Sequence, residues 1–596
     1  MAVRSPMSGV IPHARPRPRD ISDVPMSYAR WSRSWSAIVL LVVGVTTLRL
    51  AYVAWVNPYA LVEDEAHYWE WSRRLDWSYY SKGPGIALAI RAATMVFGDT
   101  EFAVRLPAVV ASMVVTLAIA CLAVETTGDR RAGFFAAVCT LLAPIFQISA
   151  VLMTIDGPYV AAWAVAAWAA WRALERRSRW AWVVLGTALA VGFLFKYTIV
   201  LLVPGLLLYA LMRRRRLHLH ARWKRWAFSA TAVALAGVAP VVIWNAQHDW
   251  ATVRHLLGHI AMPGGDVSTS DGWWRWDPMW TVVLIGSQVA MLGGTLFLAL
   301  YSAGTAIARR RTEPRAWPGR AFLICCATPI LVFYIVVTLF APGEANWPMA
   351  GFVTLLALCG WGVVEAMDRF RHMMVVWKSL PDKPRPWWGV IRRKPELHRQ
   401  MAWHATVVIG LVAGTASLRL DWTAPSINWI VSTAAHVAGR VGIGPGQADS
   451  VIPLGRMMEA PTVAAEVDRW LEELREGTRR EPFVISQHYG RASQLAFYLA
   501  DRPRVYCSSS LVNGRRTQYD LWSDTDLSNM KHLEGRPAVL VGGSEAQWAE
   551  VFGRVESIGS LAGEHKTDGS RESNQREPEL RQAYLGFGYR GFGRED

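Results

Sequence analysis

Charge is what this sequence has least of. Asp, Glu, Lys and Arg together make up 18% of its 596 residues, well below the share of roughly 25% expected of a soluble chain. Cysteine is also rare, with six residues at Cys121, Cys139, Cys325, Cys326, Cys359 and Cys507. All but Cys507 sit inside apolar runs, so the sequence shows neither a disulfide framework nor a metal-ligand spacing. It has no nucleotide-binding fingerprint and no internal repeat. Carboxylates are outnumbered by Lys and Arg, 47 to 63. That basic excess is not gathered on a soluble recognition module, which argues against a nucleic-acid partner.

What is abundant is apolar. The chain is 52% hydrophobic with 31 tryptophans, and its long apolar runs are separated by short charged clusters, the pattern of an integral membrane protein with many spans. Candidate spans fall at 37–57, 103–125, 132–152, 154–174, 180–196, 198–212, 226–246, 279–304, 321–341, 347–366 and 402–420. With about 11 spans, every strongly basic cluster lies on one side: residues 1–36, Glu175 to Arg179, Arg213 to Arg225, Arg309 to Arg311, and 367–400. An excess of Lys and Arg marks that side as cytoplasmic. Residues 1–36 read as a disordered basic arm, and 37–57 as a retained first helix rather than a cleaved signal.

Between Arg179 and Arg213 both flanks are basic, so the chain must cross twice or re-enter. A turn near Lys196-Tyr197 then places Lys196 at the outer face. The transmembrane domain is expected to cover 37–420. Residues 421–565 read as a small extracytoplasmic α/β domain, with helices at 462–475 and 493–499 and strands at 483–486 and 538–541. The tail, 566–596, reads as disordered.

The outer side carries the chemistry. Glu63, Asp64 and Glu65 follow the first span directly, and two amphipathic stretches in that loop, 63–75 and 84–97, are expected to lie in the membrane interface. A carboxylate at a helix start often serves only as a cap or a dipole partner. Asp156, however, stands at a second outer turn, where an ionisable group is costly to keep. Lys82 and Lys196 return to the same face; singly, each reads equally as a snorkelling side chain. Two cations and two carboxylates together suit a reaction that expels a phosphate, with the cations neutralising the leaving group and a carboxylate taking the proton of an attacking hydroxyl. His67 and Tyr68 follow Asp64 at helical spacing and could bond sugar or phosphate. Tyr197, Glu344 and Asn346 complete the candidate substrate contacts.

With those residues in view, the sequence resembles the dolichyl-phosphate-mannose protein mannosyltransferase-like superfamily of GT-C membrane glycosyltransferases, in particular the bacterial branch that includes lipid A aminoarabinose transferases. The resemblance is carried by Asp64-Glu65 with His67-Tyr68, Tyr79 to Pro84, Gly98 to Pro107 and Thr154 to Pro158. Gly192 to Thr198 and Ala345 to Pro348 fit the same pattern. It implies a mainly α, polytopic GT-C fold, Asp64 as catalytic base with Asp156 and Glu65 as further acidic residues, and Lys82 and Lys196 on the donor phosphate. The implied donor is a polyprenyl-phosphate monosaccharide, used by inverting single displacement. Gly83 departs from the family pattern, which often has proline after the first lysine.

The expected partners are thus the lipid-linked sugar, a lipid, glycan or protein acceptor, and membrane lipids, in a bacterial cytoplasmic membrane. No cofactor is required; the carboxylates with His67 could bind a divalent metal, but no spacing is diagnostic. A transporter or flippase of lipid-linked sugars is the alternative. It would place ionisable groups near the midplane and often shows repeat symmetry.

Overall fold

The computed structural model describes residues 34–217, 222–260, 276–379, 395–425, 457–561 and 582–592, with isolated positions between them. Most of the arm 1–36, part of the basic stretch 367–400, and most of 426–456 lie outside the described residues.

The helices follow the apolar runs. They are α1 (Trp35–Ala51), α2 (Glu63–Arg73), α3 (Gly85–Phe97), α4 (Glu101–Thr127), α5 (Arg130–Leu142), α6 (Pro144–Ile148), α7 (Asp156–Glu175) and α8 (Arg179–Phe195). After the short turn Tyr197–Leu201 come α9 (Leu202–Arg213), α10 (Trp223–Gln247), α11 (Ala251–His259), α12 (Pro278–Leu292), α13 (Gly294–Ala308), α14 (Trp317–Val337), α15 (Met349–Ser379) and α16 (Pro395–Leu418). Among the described residues, five helices are long and apolar enough to cross a membrane, or six if α12 and α13 count as one span. The other expected spans are helical but shorter, broken or less apolar.

Two expected spans differ for local reasons. The run 279–304 is a pair of helices bent by 106°, because Gly293 takes φ +55°, a conformation open to glycine and strained for other residues. The run 132–152 stops as a regular helix at Leu142. Pro144 cannot continue the hydrogen-bond ladder and instead opens the next short helix.

The core is organised by α15, whose apolar window is 94% buried inside the protein. It packs on α5, α14, α13, α4 and α7. By contrast α10 is only 11% buried over its apolar window. It exposes Phe228, Leu235, Val242 and Ile243, as a helix bordering lipid would.

Helices α7 and α8 form an antiparallel hairpin joined by the short basic turn at Arg176-Arg177-Ser178. Their open ends, Asp156 and Lys196, are therefore brought level with each other. Helix dipoles favour an acid at the start of α7 and a cation at the end of α8.

The C-terminal domain contains α17 (Ala460–Thr478), β1 (Phe483–Ser486), α18 (Tyr489–Tyr498), β2 (Val505–Cys507), α19 (Ser509–Asn513), β3 (Ala538–Val541), α20 (Glu545–Ala549), β4 (Phe552–Ser560) and β5 (Gln582–Tyr589). Its sheet has the order β2-β1-β3-β5-β4, parallel at β2-β1-β3 and antiparallel at β3-β5-β4. Strand β5 comes from the stretch expected to be a disordered tail. Its alternation is diluted by Gly586 and Gly588, so the pairing with β3 and β4, not its own pattern, makes it a strand.

The amphipathic stretch 63–75 does form α2, but not as an exposed interfacial helix. Glu65 to Ser72 are all buried, because α18 packs across α2. Gly490 permits that approach, since a side chain there would overlap Glu63.

Candidate active site

Two of the three carboxylates at the start of α2 have very different surroundings. Glu65 is fully buried. Its oxygens accept from Arg105 at 2.9–3.2 Å, from the Met153 amide at 2.8 Å and from the Val62 amide at 3.1 Å. Arg105 in turn donates to the Tyr59 and Ala60 carbonyls. This saturated ion pair ties α2 to α4 and to the loop before α7. The catalytic role expected of Glu65 is therefore not one its geometry serves.

The motif Gly98 to Arg105 has the same structural character. Asp99 accepts from the Trp69 indole at 2.8 Å, Thr100 caps α4 at the Ala103 amide, and Glu101 accepts from the Tyr498 hydroxyl at 2.6 Å.

Asp64 faces the other way. Its surface is open to solvent, and its one hydrogen bond among the described residues is a long one, from the Tyr489 hydroxyl at 3.5 Å. It nonetheless stands in a recess crowded by protein at longer range. That partial desolvation raises its carboxyl pKa above the usual carboxylate value, against the opposing pull of Lys82. It is thus a stronger base than an ordinary aspartate.

Asp156 and Lys196 meet directly, with Nζ 2.8 Å from Oδ1. The Asn346 amide donates to the other oxygen at 2.6 Å, and the Lys196 ammonium lies 5.6 Å from the Tyr159 ring centre. Lys82 is half-buried and makes no ion pair among the described residues. Burial and the neighbouring Lys196 lower its pKa, with Asp156 and Asp64 opposing. Gly83 explains how the two lysines converge: its backbone is pressed against Leu194, where a side chain would overlap the carbonyl. The departure from proline at this position is thus accommodated by close packing of the Lys82 loop on the end of α8.

The expected substrate contacts divide. Tyr68 is buried and senses the charges of Asp64, Tyr489 and Asp156. The Tyr197 hydroxyl is buried near Ser78 and Thr252 without a hydrogen bond of good geometry. Asn346 acts through Asp156, and Glu344 is exposed without an ion pair among the described residues.

His67 is committed elsewhere. Its Nε2 accepts from the Trp71 indole at 3.1 Å, which assigns the proton to Nδ1, and Nδ1 donates to Ser493 Oγ at 3.0 Å. Ser493 completes its bonds by donating to the Tyr489 carbonyl and accepting from Tyr519. Burial pushes the His67 pKa down to about 3. Both ring nitrogens are consumed by the joint between α2 and α18, so the substrate contact expected of His67 is not available.

Further residues border the site, among them two histidines that the sequence reading missed. His255 and His259 face each other with Nε2 atoms 3.0 Å apart, and both sense Lys82. Tyr80 donates to Asp266 beside His255. From the C-terminal domain, Tyr489 reaches Asp64, and Arg515 lies 5.4 Å from the Tyr489 ring centre. The stretches that hold them, His488 to Tyr498 and Gly514 to Trp522, read from sequence as polar groups clustered with aromatics that could contact an acceptor sugar or stack over the active site, but nothing in their local pattern connects them to a loop more than 400 residues earlier. Among the described residues, no group of three or more His, Cys, Asp or Glu side chains is arranged to hold a metal ion.

Residues 81–244 match the family model for dolichyl-phosphate-mannose-protein mannosyltransferase. That segment includes Lys82, Asp156 and Lys196; Asp64 precedes it. The lipid A galacturonosyltransferase RgtD of Rhizobium johnstonii is 28% identical over 327 residues, covering 54% of this chain and 64% of that protein. An undecaprenyl phosphate-alpha-4-amino-4-deoxy-L-arabinose arabinosyl transferase of Proteus mirabilis is 26% identical over 299 residues, covering 49% of this chain and 50% of its own length. The chain thus matches between half and two thirds of the length of these relatives.

The crystal structure of ArnT from Cupriavidus metallidurans bound to undecaprenyl phosphate aligns over 93% of this chain and 98% of that one, with TM-score 0.56 and 14% identity. The apo form aligns with TM-score 0.54. At that identity the likeness is one of fold. This multi-pass membrane chain therefore has the GT-C fold of these structures, and its residues 81–244 resemble the dolichyl-phosphate-mannose-protein mannosyltransferase family.

Proposed function

We propose that this protein transfers a monosaccharide from a polyprenyl-phosphate carrier to an acceptor hydroxyl, in a single inverting displacement with Asp64 as base. The observation that carries this reading is the pairing of one accessible carboxylate with one unpaired ammonium. Among the described residues Asp64 has only a long hydrogen bond, and Lys82 has no ion-pair partner, beside the mutually satisfied group of Asp156, Lys196 and Asn346. As the acceptor oxygen bonds to the anomeric carbon, Asp64 takes its proton and the bond from that carbon to the phosphate oxygen breaks. Lys82 and Lys196 stabilise the charge that grows on the departing phosphate. Asp156 holds Lys196 in place.

A lipid-linked donor also needs room for its chain. An apolar groove of about 700 Å³ runs between α3, α4, α7 and α8, lined by Ala93, Phe97, Pro107, Val184 and others. Its lining includes Phe195 and Pro158, which lie beside Lys196 and Asp156 in the sequence. A polyprenyl tail in this groove would deliver its phosphate to the lysines. The relatives named for lipid A and undecaprenyl phosphate support a lipid acceptor and this class of donor. The distribution of Arg and Lys supports an orientation with Asp64 and the C-terminal domain on the outer side, and the bacterial relatives support a bacterial cytoplasmic membrane.

The test is sugar release from a labelled undecaprenyl-phosphate donor by the purified protein, with bacterial membrane lipid as acceptor. Transfer by wild type and its loss in Asp64→Asn, with donor binding retained, are the expected results. Donor movement across vesicles without transfer in either form would replace this reading by a transporter.

A further inference from the structure

The turn that carries Lys82 has no helix or strand of its own. It lies between α2 and α3, and local hydrogen bonds close it. The Tyr79 amide donates to the Lys82 carbonyl at 3.0 Å, and the Ser78 hydroxyl donates to the same oxygen at 3.2 Å. Lys196 has Asp156 to fix its ammonium, whereas Lys82 makes no ion pair among the described residues. The place of the Lys82 side chain is therefore set by whatever holds the backbone of its turn.

Three distant segments hold it. The Leu194 carbonyl lies against Gly83, and the Thr252 hydroxyl of α11 donates to the Tyr79 carbonyl at 3.0 Å. The third segment belongs to the C-terminal domain: the Tyr80 amide donates to Gln518 Oε1 at 2.6 Å. A backbone N–H can meet only an acceptor, which fixes the orientation of the carboxamide. Gln518 is 1% exposed, and Leu521 packs on the cluster of Tyr80, Trp244 and Ala251. This stretch is tied firmly to its own domain and to α2. The Tyr519 hydroxyl bonds Ser493 at 2.9 Å, the same hydroxyl that receives His67. Arg74 donates to Asp524 at 3.1 Å and lies 4.6 Å from the centre of the Trp522 ring. The C-terminal domain thus touches the Lys82 turn through Gln518 as well as Asp64 through Tyr489.

We propose that Gln518 is a positioning residue for Lys82, so that the donor phosphate is held tightly only while the C-terminal domain is docked. This rests on the reading of Lys82 as part of the donor-phosphate site. Without the Gln518 acceptor the buried Tyr80 amide loses its partner, and the turn is free to carry Lys82 away from Lys196. The coupling is reciprocal: a donor that binds better to the docked arrangement must also stabilise the docking. The C-terminal domain then completes the donor site rather than only covering the cleft.

The experiment uses the full chain in lipid nanodiscs with undecaprenyl phosphate as the ligand. Dissociation constants are compared for wild type, Gln518→Met, Lys82→Met and the double variant. Gln518→Met keeps the bulk of the side chain and removes the acceptor, and it should weaken binding by about tenfold. In the Lys82→Met background the same change should cost nothing further, because no ammonium remains to be positioned. A residue needed only for folding would cost the same in both backgrounds. A second measurement needs no variant, and so decides the matter even where Gln518→Met fails to fold. In wild type, saturating undecaprenyl phosphate should slow amide hydrogen exchange at 517–520 as well as at 79–82. Wild-type affinity in Gln518→Met, additive losses in the double variant, or exchange at 517–520 that ignores the ligand would each overturn the proposal. Full binding by Lys82→Met would instead refute the donor-phosphate site itself, and with it the basis for a residue that positions Lys82.

Discussion

Lys196 Nζ lies 2.8 Å from Asp156 Oδ1 across the open end of the α7–α8 hairpin. The side chains are 13% and 6% exposed, so the pair is nearly withdrawn from water. Asn346 holds the second carboxylate oxygen at 2.6 Å and adds the segment before α15 to the same junction. The arrangement neutralises one ammonium at the cleft, whereas Lys82 has no ion-pair partner among the described residues.

That difference separates the two lysines by experiment. Lys196→Met strands a buried carboxylate and should destabilise the protein by about 3–5 kcal/mol, with recovery in the Asp156→Asn, Lys196→Met double variant. Lys82→Met should leave thermal stability near that of wild type and weaken binding of undecaprenyl phosphate. Melting in detergent and a lipid-binding assay distinguish the two; equal destabilisation by both would contradict the assignment.

Replacing Asp64 by Asn keeps the shape of the side chain and removes the base. Turnover should fall by about 10²–10⁴. Because the Asp64 pKa is raised by burial, the wild-type rate should decline with falling pH at a value above the ordinary aspartate pKa of about 4. The sign follows from the base being active only when ionised. The residual rate of Asp64→Asn should lack this acid limb, and a limb that survives in the variant would point to another group.

Glu65, one residue further, should behave as a structural residue. Glu65→Gln leaves the buried guanidinium of Arg105 without its charge partner, a loss of roughly 3–5 kcal/mol in stability. Turnover per folded molecule should remain within a few-fold of wild type. A stable Glu65→Gln protein without activity would restore a catalytic role.

His67 gives the joint between α2 and α18 a pH dependence. Its folded pKa of about 3 lies below the unfolded value near 6.5, so the unfolded chain takes up a proton first as the medium is acidified. The stability from this residue is complete above about pH 6.5 and is lost as pH falls from there toward 3. His67→Asn should flatten that slope in a pH series of thermal melts. Limited proteolysis should also release the C-terminal domain sooner.

Gly83→Ala tests the convergence of the lysines. The added methyl would overlap the Leu194 carbonyl, and backbone is less able to yield than a side chain, so a cost of about 1–3 kcal/mol is expected. Donor affinity should fall with it, because Lys82 moves away from Lys196. Unchanged affinity would show that the Lys82 loop is not held by this contact.

Much of the architecture was open to a reading of local pattern. Apolar runs located the helices, because an apolar segment of that length has few other uses, and the basic turn at Arg176-Arg177-Ser178 implied the hairpin that brings Asp156 and Lys196 level. The breaks inside two of those runs were not foreseen: 132–152 and 279–304 read as continuous spans, whereas Pro144 interrupts the first and Gly293 bends the second by 106°. Strand β5 was missed because its pairing partners lie about 45 residues upstream and just before an interrupted stretch of charge.

By itself the sequence determined the composition of each face: which runs are apolar, where acids and lysines return to one side, and which turns must be tight. Only the tertiary structure decided how neighbouring ionisable groups divide their work. Asp64 and Glu65 are adjacent and chemically alike, yet one turns to the cleft and the other to Arg105, because a helical step of about 100° sends successive side chains into different surroundings. The same folding buried His67 beneath α18 and carried Arg515 to the edge of the cleft. A pKa, an ion pair or an open donor belongs to an environment, and that environment is assembled from segments hundreds of residues apart.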